Sequence, residues 1–240
     1  MSVLEVPPFL ESILAPQFDF CPLIQNFDSV KDKAIDVLDI AHCAFYSQNV
    51  DSYKILMVLR RDGSFGFVGG RVHHHEKVLD GLNREVREET MLEPSLAKIN
   101  ESDHLFSYCQ QRNDPLSKHV FKTLCIDPSV QTLRFHFFLK KVESNVYYQA
   151  RLPNYDNLPE LYGLVTVPLR MDRMDLGLRT FLNNQFVATS KFQLLIVLHH
   201  LGLPIQDIGF KPETRINHLL ELGLIALCIL LWYGCQIILS

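Results

Sequence analysis

Apolar positions along this chain fall into two rhythms. Tyr53 to Arg60 (YKILMVLR) is a short apolar run with polar ends, the pattern of a strand covered on both faces at its centre. Leu133 to Val142 (LRFHFFLKKV) predicts a second strand, and Gly163 to Leu169 (GLVTVPL) a third that proline ends. Between Glu76 and Leu92 the period changes: Val78, Leu79, Leu82 and Val86 recur at helical spacing and form one apolar stripe. Thr180 to Leu203 predicts one or two further helices. Shorter pieces lie between. Ala41 to Tyr46 is apolar, Ser47 to Ser52 a polar turn, Arg61-Asp62-Gly63 another turn, and Phe65 to Val68 a short strand broken by Gly69-Gly70. Asn100 to Val130 is irregular and polar, interrupted by Asp114-Pro115 and Asp127-Pro128, which predicts a long loop or insertion. Strands and helices in this order predict an α+β domain, a mixed sheet with helices packed on it, over residues 35–210.

The two ends read differently. Residues 1–34 form a leader with no clear period. Its start, MSVLEVPPFLESIL, has no basic region and is not a secretory signal. Within residues 211–240, Leu222 to Leu239 is a run of eighteen residues without charge. A helix of that length spans roughly 27 Å, the short end of what a bilayer core requires. Residues 222–239 therefore read as a tail anchor, as a buried helix, or as a non-native tail made by splicing. Composition adds exclusions. With 48% hydrophobic and 21% charged residues, the chain is neither disordered nor collagen-like. A net charge of −4 excludes a polybasic nucleic-acid coat, so any nucleic-acid site must be local. The six cysteines show no Cys-x-x-Cys pair and read as mostly buried, reduced thiols.

The chemistry is concentrated in GGRVHHHEKVLDGLNREVREETML, residues 69–92. At 100° per residue, Glu85, Glu88 and Glu89 fall within one 100° arc of the helix. Like charges on one turn repel by a few tenths of a kcal/mol per pair. A stripe of carboxylate oxygens is, however, what a hard divalent cation requires. Gly69-Gly70 lets backbone approach, so that the Gly69 carbonyl can join the ligands. Arg84 can pair with Glu76 and tie loop to helix. Such a site supports attack of an activated water on a phosphoanhydride. His73, His74 and His75 read as solvated loop residues, because three consecutive loop side chains rarely converge.

The spacing is that of the Nudix hydrolase signature: Gly70, five residues, Glu76, seven residues, then Arg84-Glu85-Val86-Arg87-Glu88-Glu89-Thr90-Met91-Leu92. Met91 stands where that signature has glycine. AHCAFY, FGFVGG, LDGLNREVREE, GLVTVPL and TFLNNQFVATSKFQLLIVLHHLGL also resemble the Nudix branch that contains small nucleolar RNA-decapping and inosine diphosphatase enzymes. The resemblance covers roughly residues 36–205, but not much of 109–132. It implies the Nudix fold, an α/β/α sandwich with helices on both sheet faces. It implies Mg²⁺ or Mn²⁺, catalytic Glu85, Glu88 and Glu89, and a structural Gly70, Glu76 and Arg84. His42, Arg60, Phe67, Thr189 and Gln193 fall where the branch contacts nucleotide. A metal-linked loop histidine falls on His119, or by gapless counting on Tyr108.

The implied substrates are inosine-type or xanthosine-type nucleoside diphosphates and the methylguanosine cap of RNA. The implied state is a homodimer in the nucleus, nucleolus and cytoplasm. Lys118, Lys122, Arg134, Lys140 and Lys141 are the candidate basic contacts to RNA. Two further readings stand beside this one: a broader housecleaning Nudix hydrolase for ADP-ribose-like compounds, and a Nudix-fold protein that binds nucleotide or RNA without cleaving it.

Overall fold

A computed structural model describes residues 19–20, 36–49, 52–114, 117–151, 160–170 and 177–203. The chain divides into two compact units, residues 1–208 and 209–240. The apolar run 222–239 lies outside the described residues. Among those described, no helix is long and apolar enough to cross a membrane.

In chain order the strands are β1 (Asp19–Phe20), β2 (Val37–Asn49), β3 (Ser52–Arg60), β4 (Phe65–Gly66), β5 (Val68–Arg71), β6 (His104–Gln111), β7 (Thr132–Lys141) and β8 (Leu161–Leu169). The helices are α1 (Val78–Thr90), α2 (Pro94–Ala97), α3 (Lys118–Thr123), α4 (Val146–Gln149), α5 (Leu178–Phe181) and α6 (Ser190–His200). One sheet runs β1-β6-β7-β2-β3-β4, with β5 also on β2 and β8 also on β3. It is mixed: β2 and β7 are parallel, while the pairs β2–β3, β2–β5, β3–β8 and β6–β7 are antiparallel.

Strand β2 organises the sheet. One edge lies along β7 from Val37 to Tyr46, and the other is shared, β5 taking Ile40–Cys43 and β3 taking Phe45–Asn49. Side chains alternate across the sheet. Ala41, Cys43 and Phe45 face α1 and pack with Leu56, Val58, Val78, Leu82, Val86 and Phe138. His42 faces the other way, toward an aromatic layer of Phe106, Tyr108, Phe135 and Phe137, against which Phe192 of α6 packs. Helices therefore cover both faces, as the sequence predicts.

Several expectations are corrected. Gly69-Gly70 does not break a strand: both residues lie in β5, paired with His42 and Ala41. Gly69 has φ 129°, and a Cβ there would strike the Ala41 carbonyl, so glycine is what lets the backbone remain this close. Asn100–Val130 is not irregular throughout; it contains β6 and α3. Its polar residues concealed the strand, because Ser107 and Gln110 are buried. Pro168 does not end β8 but lies inside it, opposite Lys54, on a strand bonded along one edge. The polar turn after β2 is shorter than Ser47–Ser52, since β2 continues to Asn49. Cys109 is disulfide-bonded, whereas Cys43 and Cys125 are free thiols. Spacing along a chain carries no record of which thiols the fold pairs.

Candidate active site

Helix α1 carries its carboxylates onto the backbone of β5. The Gly69 N–H donates to Glu89 Oε2 at 2.8 Å. A Cβ on Gly70 would stand 2.9 Å from the Glu85 carboxyl carbon, so glycine lets that carboxylate lie against the backbone without shifting. At Gly81, inside the helix, a Cβ would stand 2.9 Å from Glu76 Oε2, so a larger residue there would displace the Glu76 carboxylate. Two acids of the helix, Glu85 and Glu89, thus reach one short stretch of backbone.

Arg84 binds the loop to the helix. Its Nε and Nη2 donate to the two oxygens of Glu76 at 3.0 Å each, a bidentate pair. Nη1 donates to Glu85 Oε1 at 2.8 Å and Glu88 Oε2 at 3.1 Å, and Nη2 also to the Arg71 carbonyl at 3.1 Å. The Glu76 carboxylate also accepts the His73 N–H at 3.1 Å. Burial raises the Glu76 pKa, but the hydrogen bonds from Arg84 and His73 outweigh it and leave the group below its ordinary value. For Glu85 burial prevails over Arg84, with Glu88 adding repulsion, and its pKa is raised.

Glu89 is the extreme case. It is 7% exposed, and burial lifts its pKa to about 8. The Gly69 N–H opposes that rise, while Glu85 and Glu160 add to it and Arg60 reduces it. Sequence reasoning gave no sign of Glu160, because only the fold brings residue 160 near residue 89.

Met91 ends the helix in the left-handed conformation, φ 55° and ψ 18°, its N–H bonded to the Arg87 carbonyl at 3.0 Å. The methionine thus takes the backbone geometry that glycine supplies in the signature. His73, His74 and His75 are all exposed.

A second group lies on the other face of the sheet. His42 is the register partner of Gly69, so the two groups adjoin across one strand pair. Burial, then the charge of Arg60, lowers the His42 pKa to about 4 and keeps the ring neutral. Gln193 Nε2 lies 3.4 Å from His42 Nδ1 and donates to Tyr108 Oη at 3.3 Å. Tyr108 Oη and Thr189 Oγ1 share a hydrogen bond of 2.6 Å. Gln193 Oε1 and Arg60 Nε are buried without a hydrogen-bond partner among the described residues. His42, Thr189 and Gln193, far apart in sequence, are thus brought together, and Tyr108 joins them.

Other candidates are placed elsewhere. Phe67 is 3% exposed and packs edge to face on Phe137 at 5.0 Å, a core position rather than a free stacking platform. His119 is on the exposed side of α3, with Nε2 3.4 Å from Thr123 Oγ1. Tyr108 is fully buried, burial holds its hydroxyl well above the ordinary tyrosine range, and that hydroxyl is engaged by Thr189 and Gln193. Among the described residues, no group of three His, Cys, Asp or Glu side chains converges as it stands on one metal position. Arg84 takes oxygens of Glu85 and Glu88 instead. The donor set still suits a hard cation: carboxylate oxygens only, two of them against glycine backbone.

The mixed sheet between two helical layers, with this loop and helix on β5, is the fold of a Nudix hydrolase. Residues 40–203 match the Nudt16-like family, described as U8 snoRNA-decapping enzyme-like. The U8 snoRNA-decapping enzyme of Mus musculus is 35% identical over 167 residues, 68% of this chain and 76% of that protein. The Tudor-interacting repair regulator protein of Gallus gallus is 32% identical over 154 residues, 63% of this chain and 43% of that protein. The Nudix domain of Shewanella oneidensis NrtR, solved with ADP ribose, covers 73% of this chain and 94% of its own at a TM-score of 0.46 and 13% identity. The chain belongs to the Nudt16-like family of Nudix hydrolases, whose chemistry is that of a pyrophosphohydrolase.

Proposed function

We propose that this chain hydrolyses the phosphoanhydride of 6-oxopurine nucleoside diphosphates, inosine and xanthosine type, and the methylguanosine cap of RNA, with Mg²⁺ or Mn²⁺. The observation that carries the reading is the contact of Glu85 and Glu89 with the Gly69-Gly70 backbone. Glu85, Glu88, Glu89 and the Gly69 carbonyl would hold the cation. Bound there, it would activate water and offset the charge that develops on the leaving phosphate. Arg84 keeps the acidic helix and the loop in register by neutralising Glu76 and sharing Glu85 and Glu88. Arg60 lies near enough to influence both Glu89 and His42, which suits a guanidinium that bridges phosphate and base.

The base preference follows from hydrogen-bond polarity. A neutral His42 that accepts the Gln193 amide at Nδ1 carries its proton on Nε2, a donor suited to a purine O6. With Gln193 Nε2 engaged, Oε1 remains a buried acceptor suited to a purine N1–H. Hypoxanthine, xanthine and guanine offer O6 and N1–H. Adenine offers the opposite polarity at both positions. This favours an inosine-type substrate over ADP-ribose-like compounds. Cap removal would take place in the nucleus, where capped small RNAs mature.

The test is a hydrolysis screen of the full chain with Mg²⁺ and Mn²⁺ on IDP, GDP, ADP, ADP-ribose and capped RNA. The expected order places IDP and capped RNA above the adenine compounds. Gln193→Leu should reduce the IDP-over-ADP preference by about tenfold or more, the worth of one buried hydrogen bond. Preference for ADP-ribose would overturn the base assignment. Absence of hydrolysis with every substrate would favour a Nudix-fold binder instead.

A further inference from the structure

The segment between β6 and β7 builds a basic pocket. Arg112, Lys118, Phe121, Lys122, Cys125 and Ile126 line a cavity of about 230 Å³. No carboxylate is among the lining residues. The nearby acids are engaged locally: Asp127 accepts from Ser129 at 2.8 and 2.6 Å, and Asp114 accepts from the Ser117 hydroxyl at 3.1 Å.

The three cations differ in role. Arg112 is fixed. Its guanidinium donates to the Val130 carbonyl at 2.6 Å and the Asp127 carbonyl at 2.5 Å, and it lies over the Phe121 ring at 4.5 Å. Neutral carbonyls and a ring hold it in place, and its charge also acts on the Asp127 carboxylate. Lys118 and Lys122 are one helical turn apart on α3, both exposed, and neither ammonium has an ion-pair partner among the described residues. The other basic candidates are committed elsewhere. Arg134 is bound to Asp39, Lys140 to Asp103 at 2.8 Å, and Lys141 donates to Gln48 at 3.2 Å.

The pocket is also wired to the catalytic box. The Arg71 guanidinium donates to the carbonyls of Leu124 and Cys125, and the Arg71 carbonyl accepts Arg84 Nη2. A single arginine therefore separates the floor of the pocket from the residue that holds Glu76, Glu85 and Glu88. In a chain of net charge −4, uncompensated lysines beside a phosphoanhydride site point to a substrate whose negative charge continues past the cleaved bond.

We infer that the pocket formed by Arg112, Lys118 and Lys122 is a phosphate-binding subsite for the RNA chain of a capped substrate, beyond the diphosphate that is cleaved. This rests on the pyrophosphohydrolase reading and adds to it the place where RNA leaves the site. A nucleoside diphosphate is too short to need it, so the subsite separates the two substrate classes.

The experiment uses the full chain and a Lys118→Glu/Lys122→Glu variant, with IDP and a capped RNA as substrates. Hydrolysis of IDP should be the same in both proteins, which also shows that the variant folds. On capped RNA, kcat/KM of the variant should fall by about tenfold or more, and the log–log salt dependence of RNA binding should flatten by roughly 0.7 for each phosphate that is no longer neutralised. Cys125 gives a readout independent of turnover, because this pocket thiol is free and exposed. Capped RNA, but not IDP, should slow its alkylation in the wild type and not in the variant, followed by mass spectrometry of its peptide. Equal cleavage of capped RNA by both proteins, or alkylation indifferent to RNA, overturns the inference while IDP hydrolysis leaves the enzyme reading intact. RNA protection of Cys125 in a wild type that hydrolyses nothing would support the subsite and overturn the enzyme reading. Retention of the wild type, but not the variant, on anionic phosphatidylserine vesicles, with RNA without effect, would assign the pocket to a lipid surface and overturn it.

Discussion

Asp39 and Glu89 are both buried carboxylates, 2% and 7% exposed, and the fold treats them in opposite ways. Burial raises the proton affinity of each. At Asp39 the hydrogen bonds and charges of His136 and Arg134 overcome burial and hold the group well below the ordinary carboxylate range. At Glu89 only a peptide N–H and the field of Arg60 oppose burial, while Glu85 and Glu160 reinforce it. Asp39 belongs to a hydrogen-bonded network: Arg134 Nη2 donates to it at 2.9 Å, His136 Nε2 lies 3.0 Å away, His136 Nδ1 and Ser107 share a bond of 2.9 Å, and Ser107 and His104 one of 2.8 Å. A carboxylate whose charge the protein has already answered is part of the frame. One left short of positive charge beside glycine backbone suits the cation site proposed for it.

The sharpest way to break that contrast is Glu89→Gln. It should lower hydrolytic turnover by about 10²-fold or more, the usual weight of a group acting directly on the reacting centre, measured by steady-state hydrolysis of IDP. The same variant carries a pH signature. A carboxyl whose folded pKa is raised contributes stability that is complete below its unfolded pKa and lost as pH rises through the folded value. Metal-free wild type should therefore lose stability between pH 4.5 and about 8. Glu89→Gln should flatten that loss in thermal melts across the window. Unchanged turnover would make Glu89 a second framework acid.

Asp39→Ala probes the other side. Removing one member of a buried ion pair leaves its partners uncompensated and costs about 3 kcal/mol, to be read from urea denaturation of the metal-free chain. Turnover per folded molecule should hardly change, since the Asp39 carboxylate is held by Arg134 and His136, which belong to β7 and not to α1. For the wild type, the Asp39 contribution is present above the unfolded carboxylate pKa and lost as pH falls below it, the reverse of Glu89. A variant of normal stability but reduced turnover would exchange the roles of the two acids.

The contrast also explains what was readable in the sequence. Helix α1 was legible because its period and the spacing of its acids are local properties, and it formed as Val78–Thr90. The Asp39–Arg134 pair spans 95 positions and the Gln193–His42 contact 151, and no local pattern encodes either. His42, Thr189 and Gln193 could be singled out only through the family resemblance. Strand β6 is hidden in the sequence because its polar residues look solvated until His136 and His104 supply partners for Ser107. Gly69-Gly70 reads as a break because glycine marks both turns and close backbone approach, and only the paired β2 distinguishes them.

The smallest expected effect lies two residues beyond Glu89. Met91 is 57% exposed, so its side chain contributes little packing, yet its backbone is left-handed at φ 55°. A non-glycine residue there bears a steric penalty of about 1 kcal/mol, part of which glycine returns through its greater freedom in the unfolded chain. Met91→Gly should therefore stabilise the protein by about 0.5–1 kcal/mol, read as a higher urea midpoint at an unchanged slope. It should leave turnover alone, because the helix already ends in the geometry that glycine would adopt and Glu89 already meets Gly69 at 2.8 Å. If turnover rose along with stability, the methionine would be holding the end of α1, and with it Glu89, away from its working position.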